Sequence, residues 1–169
     1  MDDRHDLPPA SPIVEEPAAG SLPLAAAAGL VAAIVSGVAW GLIVKWSEYE
    51  IGIAAWGIGL LVGAAVVAGT RGGKGPPLQA VAVATALVGI LLGKYLGYAF
   101  TIQEQAAEAG VELGLFSSEI RTFFREDLGS VFGLFDVLWV GLAVYTAWRA
   151  TQRPEPELSP GPGPDRDVV

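Results

Sequence analysis

Residues 22–44 read LPLAAAAGLVAAIVSGVAWGLIV, a run without a charged residue in which Gly29, Ala33, Gly37 and Gly41 recur at every fourth position. As a helix, a run of this length crosses roughly 30 Å of hydrocarbon. A spacing of four stacks the small residues on nearly one helix face. The chain's 169 residues are 52% hydrophobic and 17% charged, against about 25% charged in an ordinary soluble domain.

Three further runs share this character. They are 51–69 (IGIAAWGIGLLVGAAVVAG), 78–102 and 130–150 (SVFGLFDVLWVGLAVYTAWRA). Small residues again fall four apart: Ala55, Gly59 and Gly63 in the second run, and Gly89, Gly93 and Gly97 in the third. The fourth run has Gly133, followed two turns later by Gly141. Helices gain little hydrophobic energy from meeting in lipid, so small residues that admit a neighbouring backbone mark their contacts. The predicted fold is all-α: an integral membrane four-helix bundle with Gly-rich interfaces, and a short amphipathic helix between spans three and four. Whether the rows meet within one chain or between subunits is open at this level.

The expected organisation is an acidic, Pro-rich disordered tail over 1–21, a four-span domain over 22–150 and a second Pro-rich disordered tail over 151–169. Neither tail buries enough apolar surface to offset its ordering entropy. The first tail is a poor secretory signal, because its acidic stretch is long and the apolar run after it has full spanning length. The turn TRGGKGPP (70–77) stops one helix and starts the next.

Lys and Arg set the orientation. With the N-terminus in the cytoplasm, Arg4, Arg71, Lys74, Arg149, Arg153 and Arg166 lie inside and Lys45, Arg121 and Arg125 outside. The bias predicts a multi-pass protein of the cell (inner or plasma) membrane with both termini cytoplasmic. Trp40, Trp46, Tyr49 and Trp56 around the first outer turn, with Tyr145 and Trp148 at the far end of the last span, read as headgroup anchors.

Composition also narrows the chemistry. Without cysteine there are no disulfides, Cys-ligated zinc or thiol catalysis, and the sole histidine, His5, stands in the tail. A net charge of −8 gives no footing for nucleic acid. We expect no enzyme activity, no cofactor and no metal. The expected partners are the lipid bilayer and either a second copy or another membrane protein.

Ionisable residues inside a span are the first candidates for a site. Lys94, in ILLGKYLGYAF, and Asp136, in SVFGLFDVLWVG, are of opposite sign on consecutive antiparallel helices. Each stands roughly 9–12 Å below the outer boundary at 1.5 Å per residue. We expect an intramembrane ion pair, structural or functional; the alternative is a Lys94 that snorkels alone. The second candidate is the outer acidic turn of Glu48 and Glu50 in VKWSEYEIGIAAWGIG, where solvated carboxylates are the simpler reading. In residues 103–128, Ser117 and Ser118 are N-cap candidates and Leu115, Phe116, Ile120, Phe123 and Phe124 give an amphipathic helix, with Arg121 and Arg125 one turn apart. That helix is a connector or a lid over the bundle mouth. Glu104, Glu108 and Glu112 fall on one helical row, which predicts that the third helix projects into solvent.

The hairpin YEIGIAAWGIG (49–59), preceded by a Gly-rich span ending in WGLI, and the last helix DVLWVGLAVYTAWR (136–149) resemble a type found in small, uncharacterised multi-pass proteins of bacteria. The resemblance covers roughly residues 25–150 and implies a four-helix membrane domain, with no activity to transfer. Some proteins of that kind carry a cysteine-rich zinc module before the spans, which this cysteine-free chain lacks. The expected role is a structural or interaction module packing through its Gly rows. The alternative is a small oligomeric transporter or channel subunit using Lys94 and Asp136, although no proline interrupts a span to favour it.

Overall fold

The computed structural model describes residues 21–47 and 52–153, and among these every regular element is a helix. They are α1 (Ser21–Ser47), α2 (Ile53–Gly69), α3 (Pro76–Glu108), α4 (Ser118–Glu126), α5 (Leu128–Val131) and α6 (Leu134–Ala150). The predicted disordered tails, His5, Glu48 and Glu50 lie outside the described residues, save for the ends of the tails noted below. By length and composition two helices, α1 and α3, suffice to cross a membrane, while α2 is apolar but has 17 residues.

α1, α2, α3 and α6 pack side by side, each antiparallel to the one before it. The most extensive contact is α1 on α3, and α6 packs mainly on α2 and then on α3. The α2–α3 pair therefore lies between α1 and α6. With 33 residues, α3 is about 50 Å long at 1.5 Å per residue. Its last two turns are largely exposed, as the acidic row predicts, but the helix ends at Glu108, so Glu112 lies beyond the row.

The seams are made of small residues, and the rows read from the sequence meet within a single chain. A methyl group on Gly37 would lie 2.6 Å from the Gly89 carbonyl oxygen, and one on Gly89 would lie 3.0 Å from the Ala33 carbonyl oxygen. Farther along the same seam, Gly41 meets Leu96, Gly93 meets the Trp40 ring and Gly97 meets Val44. On the other side of the bundle Gly59 abuts the Ala143 backbone, and Gly63 abuts Ala147 and Ala150. Gly141 differs from the expectation: it faces open space, because α6 turns Ala143 and Ala147 inward instead.

The core mixes Trp40, Ile58, Val62, Val66, Leu78 and Ile90 with many alanines, and large apolar residues also lie on the outside. Ala25, Ala33, Ala55, Ala82, Ala86, Ala143 and Ala147 are buried, whereas Val31, Val35, Leu61, Leu134, Phe135 and Leu138 are each more than half exposed. Hydroxyls within the apolar helices bond back to their own turn, as Ser36 Oγ does to the Ala32 carbonyl at 2.6 Å and Thr85 Oγ1 to that of Val81 at 2.7 Å. No apolar surroundings have to absorb an unpaired hydroxyl there.

Three boundaries depart from the sequence reading. Ser21, placed in the first tail, already belongs to α1. Thr151, placed in the second tail, is fully buried. Its carbonyl accepts the Gly75 N–H at 2.9 Å, and Arg153 Nε donates to the Lys74 carbonyl at 3.2 Å. The turn between α2 and α3 is thus tied down by the residues after α6. The third departure concerns the last expected span: it is broken at Phe132 and Gly133, both extended, and α6 starts only at Leu134.

Candidate functional site

The break in the last helix is the centre of the polar chemistry. Ending α5 at Val131 leaves carbonyls that no following turn can satisfy, and starting α6 at Leu134 leaves orphan N–H groups. Lys94 projects from α3 into this gap. Its Nζ donates to the Val131 carbonyl at 2.9 Å and lies 2.7 Å from Asp136 Oδ1. The other carboxylate oxygen, Oδ2, accepts the Gly133 N–H at 2.8 Å. One aspartate therefore caps a helix N-terminus and neutralises an ammonium, and each task holds the carboxylate where the other needs it. A negative charge in the first turn is also favoured by the helix dipole.

Burial makes the pair consequential. The Lys94 side chain is 1% exposed and that of Asp136 20%. Aromatic faces line the ammonium, with the Phe132 ring centroid 5.5 Å and the Trp40 ring centroid 5.9 Å from Nζ, distances at which the ring quadrupole attracts a cation. Trp40 is accordingly a core residue at 2% exposure, which corrects its reading as a headgroup anchor. It fits because Gly93, beside Lys94, leaves the space its ring fills. Its indole N–H is buried without a hydrogen-bond partner among the described residues. Trp46, by contrast, is 77% exposed. Trp56 donates through Nε1 to Thr146 Oγ1 at 3.0 Å and so joins α2 to α6.

The segment after α3 returns along the helix it has just left. A turn at Gly110, with φ of 77°, reverses the chain. Gln103 Nε2 then donates to the Leu113 carbonyl at 2.5 Å, and Tyr95 Oη to that of Leu115 at 2.7 Å. Ser117 caps α4 by accepting the Ile120 N–H at 3.3 Å, as the sequence predicts. Ile120 and Phe124 are buried against α3, where Phe124 meets Tyr95 and Tyr98 edge to face. Tyr98 Oη donates to Asp127 Oδ2 at 2.6 Å. These contacts lead the chain down α3 until Val131 stands level with Lys94. The Glu119 carboxyl, in the first turn of α4, is held below the usual carboxylate range by its own backbone N–H and by the Ser117 and Ser118 hydroxyls.

Beyond this corner, Lys45 lies over the Phe100 ring at 4.9 Å and shares a groove with Glu104 and Glu108 where α1 ends against α3. No group of three potential metal-ligating side chains comes together among the described residues.

Sequence reasoning singled out Lys94 and Asp136 by sign and depth, but missed the carbonyl and the two rings around them. The available signal was Gly133 three residues before Asp136, a spacing that reads as a helix start. Set beside known proteins, the chain matches no family model, no curated protein and no solved structure.

Proposed function

We propose that this chain is a multi-pass membrane protein of the bacterial cell membrane, with α1, α2, α3 and α6 embedded and both termini cytoplasmic, and that it serves as a structural or interaction module. The observation that carries this reading is the packing of the helices: Gly and Ala bring their backbones into contact, while many Leu, Val, Ile and Phe side chains on the same helices face outward. A soluble bundle buries its large apolar residues, because burial of each is worth roughly 1.5–3 kcal/mol. In lipid that gain vanishes, and close approach of backbones decides the packing instead. The length and apolarity of α1 and α3 support the same reading. Since the Gly rows are occupied within the chain, a partner meets the large-residue faces rather than the rows.

The absence of cysteine makes the topology directly testable. Single variants Ser47→Cys, Glu112→Cys, Gly73→Cys and Gln152→Cys are treated in intact cells with a membrane-impermeant maleimide. The first two label and the last two label only after lysis. Labelling of all four from outside, or release of the protein by alkaline carbonate, refutes the reading.

One observation favours a second reading, that of a small oligomeric transporter or channel subunit. A helix broken beside a buried charge is how many transporters present backbone carbonyls to an ion, and the gap at Val131–Gly133 beside Lys94 has that form. If liposomes containing the purified chain conduct ions and the Lys94→Met variant folds but does not, this second reading replaces the first.

A further inference from the structure

We infer that the groove between α4 and α3 is a phosphate-binding site, filled by the headgroup phosphate of an anionic glycerophospholipid. The groove, about 510 Å³, is lined by Tyr95, Ser118, Arg121, Thr122, Phe124 and Arg125. Within α4 the four polar lining residues fall at positions i, i+3, i+4 and i+7, a single helical stripe. The stripe runs beside the buried Ile120 and Phe124, while Glu119 and Glu126 fall on a separate stripe with Phe123. Helix periodicity thus puts both guanidinium groups and the Thr122 hydroxyl on the groove, while the Ser118 hydroxyl is engaged by the neighbouring Glu119 carboxylate. In a chain of net charge −8 this is a local reversal of sign.

Guanidinium groups match phosphate oxygens in planar, charge-assisted pairs, and the Thr122 hydroxyl adds a donor. Arg125 gives its Nε–H to the Arg121 carbonyl at 3.3 Å, which steadies its stem and leaves its terminal amino groups as donors. No direct ion pair holds either guanidinium among the described residues, although the Arg121 charge helps to keep the nearby Glu119 carboxyl ionised. An apolar side chain flanks the site: Phe116, 64% exposed, stacks on Tyr95 with the ring centroids 5.7 Å apart. That combination fits a phosphate carrying acyl chains. The lipid source rests on the membrane reading above; free inorganic phosphate is the other source of the same chemistry.

The full chain, purified in mild detergent, is tested by native mass spectrometry against phosphatidylglycerol and phosphatidylcholine of equal acyl length. Inorganic phosphate is tested separately by thermal shift and as a competitor. We expect phosphatidylglycerol to be retained over phosphatidylcholine, and the Arg121→Gln/Arg125→Gln variant to lose on the order of tenfold in retention. The Arg121→Lys/Arg125→Lys variant, which keeps the charge, falls between, so that misfolding is separable from lost recognition. If inorganic phosphate stabilises the wild type alone and displaces phosphatidylglycerol, the phosphate site stands with a soluble source. Equal retention of the two lipids without a phosphate effect, or undiminished binding by the glutamine variant when its circular dichroism is unchanged, overturns the site. Should the chain leave membranes in carbonate yet still bind inorganic phosphate through Arg121 and Arg125, the membrane reading fails and the site survives.

Discussion

Gly93 and Lys94 are neighbours in sequence, yet they belong to regions held together by opposite means. Gly93 lies in the α1–α3 seam, where contact depends on atoms that are missing. Lys94 lies in the corner with Val131 and Asp136, where contact depends on groups that must be present. Trp40 connects the two, since the space left by Gly93 admits the ring that lines the Lys94 ammonium. A seam of small residues is damaged by addition and is indifferent to charge. A polar corner is damaged by subtraction, because every group removed strands another in apolar surroundings.

The largest effects belong to the corner. Replacing Asp136 with Ala leaves a nearly inaccessible ammonium without its carboxylate, and breaking such a pair costs about 3–5 kcal/mol. The same substitution removes the cap on the Gly133 N–H, worth about 1 kcal/mol more. Unfolding in mild detergent should register the sum. The double variant Lys94→Met/Asp136→Leu recovers most of the loss, since a buried pair exchanged for apolar groups is often neutral. If Asp136→Ala unfolds at the wild-type midpoint, the corner is ornamental and the contrast with the seam disappears.

Next come additions to the seam. Gly37→Ala sets a methyl against the Gly89 carbonyl, and Gly59→Ala sets one against the Ala143 backbone. Overpacking of this kind costs about 1–3 kcal/mol. Gly141→Ala is the internal control. With nothing near it, the methyl adds helix propensity of up to about 1 kcal/mol. Equal behaviour of Gly37→Ala and Gly141→Ala would show that the α1–α3 contact is not held by close approach.

Legibility followed the same division. The seam could be read because a helix face repeats every three to four residues, so Gly37, Gly41, Gly89, Gly93 and Gly97 declared themselves by spacing alone. Periodicity did not say that Gly141 points outward, because a row marks a face and not its direction. In the corner, sign and depth singled out Lys94 and Asp136. The break between them was hidden in SVFGLF, where apolar composition is the same for a continuous helix and an interrupted one. Trp40 was misplaced for a related reason. A tryptophan near the end of an apolar run fits the headgroup region equally well, and only the gap at Gly93 on another helix decides the matter. Burial of Thr151 likewise depends on Gly75, which is remote in sequence.

A finer comparison is available at the ends of α2 and α3, which terminate in the same hydrogen-bond pattern. After α2, the Arg71 N–H reaches the Ala68 carbonyl at 3.0 Å and the Gly72 N–H that of Val67 at 2.9 Å. After α3, Gly110 reaches Ala107 at 3.0 Å and Val111 reaches Ala106 at 2.8 Å. Both close with a residue in the left-handed region, Arg71 at φ 56° and Gly110 at φ 77°. An L side chain there costs about 1–2 kcal/mol that glycine avoids. Gly110→Ala should therefore destabilise and Arg71→Gly stabilise by similar amounts in the same unfolding assay. The second change also removes a positive charge next to a span end, so its topology is checked by the maleimide assay.

The smallest effect is acid-dependent and local to α4. Glu119 sits in the first turn, where its own backbone N–H and the Ser117 and Ser118 hydroxyls favour the ionised form and lower its pKa. A carboxyl held lower in the folded state than in the unfolded one contributes stability above the ordinary Glu range, near pH ~4.3, and that contribution is lost as pH falls through the lowered value. Because Glu119 is fully exposed, only the start of α4 responds, while Ile120 and Phe124 stay packed on α3. Hydrogen exchange at the Ile120 N–H, followed on acidification and corrected for intrinsic rates, should show protection falling below the ordinary Glu range. Glu119→Gln should remove that pH dependence while the corner and the seam remain unchanged. A Glu119→Gln variant that kept the wild-type pH profile would place the acid response outside the first turn of α4.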